Sequence, residues 1–173
     1  MRLIFLDSGP TILLCFILWF ILQGGAALIC SRLPDSFFMS DNWLFQSRPF
    51  EDGGTIYDRV FRIRTWKHLL PDGGAIGKNS YAKHHIDNFS TGNLERFLIE
   101  SCRGELTHWL PLLMFWLFGF FTPSYVVPIM LAYAFASNLP CIVAQRYNRP
   151  RIKRIMTKIE YHEFLKQGEK NYD

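Results

Sequence analysis

Residues 11–30, TILLCFILWFILQGGAALIC, contain no charged side chain. At 1.5 Å per residue a helix of that length crosses a hydrocarbon core of about 30 Å. Inside such a core a single segment satisfies its own backbone amides only as a helix. The run therefore predicts a first transmembrane helix, and the chain is expected to be an all-α integral membrane protein. Arg2 is balanced by Asp7 and the run is long for a signal-peptide core, so a retained span is expected rather than a cleaved leader.

Two further apolar runs, 109–121 and 125–144, are separated only by Thr122-Pro123-Ser124, too short a connection for a soluble domain. They predict a helical hairpin that enters the membrane and returns. Pro111, Pro128 and Pro140 are expected to bend or shorten its arms, which bundle neighbours accommodate. The first arm is uncharged for only about 13 residues, so the expectation is about three transmembrane helices, or two spans and a re-entrant arm. Residues 1–173 then form a single membrane domain: a span at 11–30, a cytoplasmic and interfacial segment at 31–108, the hairpin at 109–145 and a basic tail at 146–173. Sixteen Phe, five Trp and a hydrophobic share of 49% agree with lipid contact.

Charge sets the orientation. The stretch before Gly9 and the segment 31–105 are each neutral overall, and the excess of +4 lies entirely from Arg146 onward. Lys and Arg beside a span favour the cytoplasm and anionic lipid. The middle segment and tail are thus expected on the cytoplasmic side of the cell membrane, with the N-terminus outside. A nucleic-acid partner is not expected, because no recognition module accompanies the basic residues. Cys15, Cys30, Cys102 and Cys141 form no C-x-x-C pair, so neither a disulfide framework nor a zinc site is expected.

Between Ser31 and Tyr57, prolines and the Gly53-Gly54 pair predict a loop whose aromatics, Phe37, Phe38, Trp43, Phe45 and Phe50, lie at the headgroups or under a helix. Residues 57–70, YDRVFRIRTWKHLL, alternate apolar groups with Arg59, Arg62, Arg64 and Lys67, the pattern of an amphipathic interfacial helix. Pro71-Asp72-Gly73-Gly74 predicts a turn, and Tyr81, Lys83, His84 and His85 form a polar cluster before an N-cap at Ser90 or Thr91.

Chemistry concentrates in residues 95–109, ERFLIESCRGELTHW, where ionisable groups run into an apolar segment. At helical spacing Glu100, Gly104 and His108 share a face, and Glu105 lies one turn from His108 and Trp109. There is no G-x-S-x-G elbow, P-loop or G-x-G-x-x-G. What remains is a general base: an imidazole oriented by a carboxylate, with cations to steady developing negative charge. His108 with Glu105 or Glu100 fits this design, as does His85 with an unassigned carboxylate. Glu105-Leu106-Thr107-His108 is also one copy of the E-x-x-H spacing of di-metal bundles; the second copy is missing, so no metal is expected. Arg146, Arg149 and Arg151 suit a phosphate-bearing ligand as well as a positive-inside anchor. A non-catalytic lipid-binding scaffold and a metal-dependent membrane enzyme are the competing readings.

Taken together, Leu33-Pro34-Asp35, Trp66-Lys67 with Asp72-Gly73, Tyr81 with His85, Ile99-Glu100, Arg103, Glu105-Leu106 with His108-Trp109, Asn138 with Pro140, and QRYNRPR at 145–151 resemble the glycosyl-4,4'-diaponeurosporenoate acyltransferase family of bacterial carotenoid biosynthesis. The resemblance implies a membrane enzyme that moves a fatty acyl group from an activated thioester, acyl-CoA or acyl carrier protein, onto a sugar hydroxyl of a glycosylated carotenoid or similar glycolipid. No bound cofactor is implied. It carries His108 and His85 over as general-base candidates and Glu100 and Glu105 as orienting groups. Arg103, Trp66, Lys67, Asp72, Tyr81, Arg146, Tyr147, Asn148, Arg149 and Arg151 become substrate contacts. The pattern departs at 73–78 and in the tail, which leaves the acceptor open.

Overall fold

The computed structural model describes residues 2–70 and 91–170, and every regular element among them is helical. The first helix, α1 (Ser8–Arg32), runs a little beyond the uncharged stretch at both ends. Pro10 falls in its first turn, where a missing N–H removes no helical bond. The Thr11 hydroxyl donates to Asp7 O at 2.8 Å. At the other end Pro34 forces Leu33 into extended backbone, φ −72° and ψ 141°, so the helix stops at Arg32.

The other α-helices are α2 (Thr55–Phe61), α3 (Ile63–Trp66), α4 (Thr91–Leu113) and α5 (Val126–Lys170). Only α1 and α5, among the described residues, are long and apolar enough to cross a membrane. Just 11% of the most apolar stretch of α1 is buried, with Phe16 71% and Phe20 82% exposed. A soluble core helix hides such rings, so their exposure agrees with a membrane-capable helix.

The chain forms two compact units. One comprises Met1–Pro34 and Arg103–Val143, the other Asp35–Cys102 and Ala144–Asp173. In the first, α1 packs its Trp19 against Leu112, Phe118, Phe121, Ala134 and Ile142. The Trp19 ring lies 5.1 Å from Phe118 and 5.0 Å from Tyr133. Pro111 lies inside α4, which ends two residues later; a tighter 3-10 turn, Phe115–Phe120, carries the chain on to α5. The hairpin arm is thus shortened, as expected. Ahead of α1 the N-terminal strand of chain is tied to the tip of this arm: Leu3 N–H donates to Phe120 O at 2.6 Å and Arg2 Nε to Phe121 O at 3.1 Å.

In the second unit Leu94, Phe97 and Leu98 of α4 pack on Ile152, Ile155, Met156 and Ile159 of α5. Residues 152–161 are a continuous part of α5, held by this one-sided apolar row and by Lys153 Nζ at 2.6 Å from Asp41 Oδ1. The loop aromatics divide. Phe38 and Phe45 are buried together with Phe37 against them, whereas Trp43 and Phe50 stay 71% and 69% exposed. Gly54 has φ 88°, and a Cβ there would crowd Pro150 and Tyr147 O at 3.1–3.3 Å.

The expected single helix over 57–70 is broken. Arg62 adopts the left-handed conformation, φ 49° and ψ 43°, and separates α2 from α3; a 3-10 turn, Lys67–Leu69, follows. The break is sustained locally, since Arg62 N–H caps Asp58 O at 3.0 Å and Trp66 Nε1 donates to Phe61 O at 2.7 Å. No glycine marks the position, so residue type gave no warning of it. The turn expected at 71–74 and the cluster of Tyr81, Lys83, His84 and His85 lie outside the described residues, as does an N-cap at Ser90.

Candidate functional site

Within the first unit three helices each bring one polar side chain to the same place. His108 Nδ1 of α4 lies 3.0 Å from Asn138 Oδ1 of α5, and Gln23 Nε2 of α1 donates to that same oxygen at 3.1 Å. Asn138 is fully buried. Its amide nitrogen donates to Ala134 O at 3.0 Å and Ser137 Oγ at 3.1 Å, which fixes which way the amide faces. An oxygen therefore meets His108 Nδ1, and this contact fixes the orientation of the ring.

Glu105, expected as the orienting group, is fully buried and accepts from Trp109 Nε1 at 3.0 Å. It lies one turn before His108 on the same helix. Arg103 is half-buried in this unit, and its carbonyl accepts from the Thr107 hydroxyl at 2.9 Å. Gln23 stands about nine residues, or roughly 13 Å, inside the Arg32 end of α1, so the histidine lies alongside the uncharged run.

The second unit holds the basic block. Arg146 Nη1 lies 2.5 Å from Glu51 Oε1 and Nη2 donates to Leu44 O at 3.1 Å. Arg149, 3% exposed, donates to Phe45 O at 2.5 Å and Ser101 Oγ at 3.3 Å. These two guanidiniums thus clamp the 44–51 loop to α5. Burial, and secondarily the Glu51 carboxylate, push the Tyr57 hydroxyl up to about 12, with Arg146 opposing. Tyr147 is buried, Arg151 stacks on its ring at 3.4 Å, and Lys67 Nζ stands 5.1 Å from it. Trp66 caps α2 as described, and Asn148 is half-buried on α5. Glu100 is paired with Arg96 at 2.7 Å, which also reaches Asp35 at 2.6 Å. Asp72, Tyr81 and His85 lie outside the described residues.

Sequence reasoning missed Gln23, Glu51, Ser101 and Arg64 as partners. For Gln23 a signal existed, since it is the lone amide in the first apolar run as Asn138 is in the returning one. Glu51 and Ser101 offered none, because their partners come from distant parts of the chain. Among the described residues no three His, Cys, Asp or Glu side chains gather as metal ligands would.

These features define an all-helical protein with two membrane-capable helices and an oriented imidazole beside a buried carboxylate. The chain belongs to the glycosyl-4,4'-diaponeurosporenoate acyltransferase family, whose sequence model matches residues 41–158, and it is an acyltransferase. It is 35% identical over 146 residues to the glycosyl-4,4'-diaponeurosporenoate acyltransferases of Staphylococcus aureus strains USA300 and NCTC 8325 / PS 47, covering 84% of this chain and 88% of each relative. The bovine strain RF122 / ET3-1 protein is 34% identical over the same length. No solved structure matches the chain.

Proposed function

We propose that the protein transfers a fatty acyl group from an activated thioester to a sugar hydroxyl of a glycosylated carotenoid, at a site on the cytoplasmic side of the cell membrane. The observation that supports this reading is the His108–Asn138–Gln23 chain, which orients the ring of the proposed base. His108 Nε2 takes the hydroxyl proton as the sugar oxygen bonds to the thioester carbonyl carbon. The carbon–sulfur bond then breaks, and the imidazolium returns its proton to the departing thiolate. Glu105, one turn away, stabilises the imidazolium. The acceptor follows from the printed name of the relatives. Acyl-CoA or acyl carrier protein supplies the thioester, and acceptor and acyl chain approach laterally through lipid.

The hairpin arm makes a third crossing in this reading. Its support is the packing of Leu112 and Phe118 with Trp19 of α1 and the bond from Leu3 N–H to Phe120 O at its tip. The basic block in the second half of α5 then faces the cytoplasm.

The test is acyl transfer by purified protein in lipid nanodiscs, with labelled acyl-CoA or acyl carrier protein and a panel of glycosylated lipids, against His108→Ala. A labelled ester formed only by the unsubstituted protein supports the reading, and the acceptor used names the substrate. Equal ester formation by His108→Ala removes the base. No ester from folded protein with any donor favours a lipid-binding scaffold.

A further inference from the structure

Three cations converge on one buried aromatic ring in the second unit. Arg151 Cζ sits 3.4 Å from the centroid of Tyr147 and Lys67 Nζ 5.1 Å from it, while Arg64 Nε lies 3.1 Å from the Tyr147 hydroxyl. Asp58 is the carboxylate paired with this group, 2.9 Å from Arg64 Nε. Arg64 nevertheless remains 67% exposed, and Lys67 is exposed too. Arg151 Nη1 also donates to Tyr147 O at 2.8 Å, within the cluster, whereas the Arg146 and Arg149 guanidiniums are turned away onto Glu51, Leu44 O, Phe45 O and Ser101.

The cluster depends on a strained backbone. Arg62, a non-glycine residue at φ 49°, interrupts the helix between Asp58 and Arg64 and so sets the direction of the segment bearing Arg64 and Lys67. A non-glycine residue in this conformation is strained, and such strain clusters at functional sites. Like charges gathered on one ring repel, and an anion bound among them removes that repulsion. A guanidinium fork and an ammonium, both water-accessible, match the oxygens of a phosphate.

We propose that Arg64, Lys67 and Arg151, arranged round Tyr147, form a binding site for a phosphate-bearing ligand. The phosphate comes either from the coenzyme arm of the acyl donor or from an anionic lipid headgroup; the first source rests on the acyl-transfer reading above. Within the basic block, the ligand-binding role falls to Arg151, joined by Arg64 and Lys67, while Arg146 and Arg149 hold the loop.

Binding is measured on the full chain without turnover, so loss of catalysis and loss of the site are separable. One arm titrates coenzyme A against protein in net-neutral phosphatidylcholine nanodiscs; the other measures phosphatidylglycerol retained on the protein by native mass spectrometry. The double variant Arg64→Gln/Lys67→Gln is compared with Lys153→Gln/Lys158→Gln, which removes equal charge elsewhere, after matched melting curves establish folding. A loss of about tenfold or more in one arm, with less than about twofold in the control, supports the site, and the responding arm identifies the phosphate source. Coenzyme A and phosphatidylglycerol both binding the double variant as they bind the original protein overturns it. So does failure of the original protein to bind either.

Discussion

Glu51 is 1% exposed, and its Oε1 lies 2.5 Å from Arg146 Nη1, a residue 95 positions later in the chain. A buried carboxylate without a cation is strongly unfavourable. Arg146→Met is therefore expected to destabilise the protein by about 3–5 kcal/mol, and Glu51→Gln added to it recovers most of the loss. Equilibrium unfolding in nanodiscs measures both; a double variant no more stable than the single refutes the pairing.

Arg149 donates to Phe45 O and Ser101 Oγ from a nearly fully buried position. Arg149→Leu strands both acceptors and should cost about 2–4 kcal/mol. Limited proteolysis then opens the 44–51 loop first. Unchanged stability with lost activity would make Arg149 a substrate contact.

The neutral form of Tyr57 is favoured in the folded protein, with its hydroxyl at about 12 against an ordinary 10.0. Between those values the folded state holds a proton that the unfolded chain has released, so the contribution is complete below about pH 10 and is lost as pH rises toward 12. Thermal stability should fall across that interval, and Tyr57→Phe should fall less steeply. Identical slopes would remove Tyr57 as a contributor.

In the proposed acyl transfer His108 is the base, and Asn138 Oδ1 lies 3.0 Å from its Nδ1, so a charge at position 138 shifts its protonation. His108→Ala should reduce kcat by about 10²–10⁴. Asn138→Asp favours the imidazolium and moves the acid limb of the kcat/KM profile to higher pH, since the base must be neutral to act. A profile that does not move shows that Asn138 serves packing alone.

Phe20 and Phe164 are 82% and 71% exposed, yet only Phe20 lies in the uncharged run of α1. Phe20→Arg should cost insertion about 2.5–3.5 kcal/mol, whereas Phe164→Arg leaves it unchanged. The membrane-inserted fraction of each variant reads this directly, and equal insertion would mean that α1 is not a span.

Local composition determined the helical class, the long apolar helix α1, the apolar runs on either side of Pro123 and the location of the ionisable groups. Hydrophobic runs, prolines and charge excess act over a few turns, and α1 ends at Arg32 because Pro34 follows. The tertiary structure decided the partners. His108 meets Asn138, thirty residues on, and Arg146 meets Glu51. The apolar stripe of 152–161 is legible as a pattern, but only its packing on Leu94, Phe97 and Leu98 makes it part of α5. Arg62 shows the same limit: its left-handed turn is held by contacts from Asp58 and the neighbouring Trp66–Phe61 bond, where the residue type itself favours an unbroken helix. Periodicity fixes which face a side chain occupies, whereas burial, hydrogen-bond satisfaction and charge pairing fix what it touches, and those are settled only when distant segments pack.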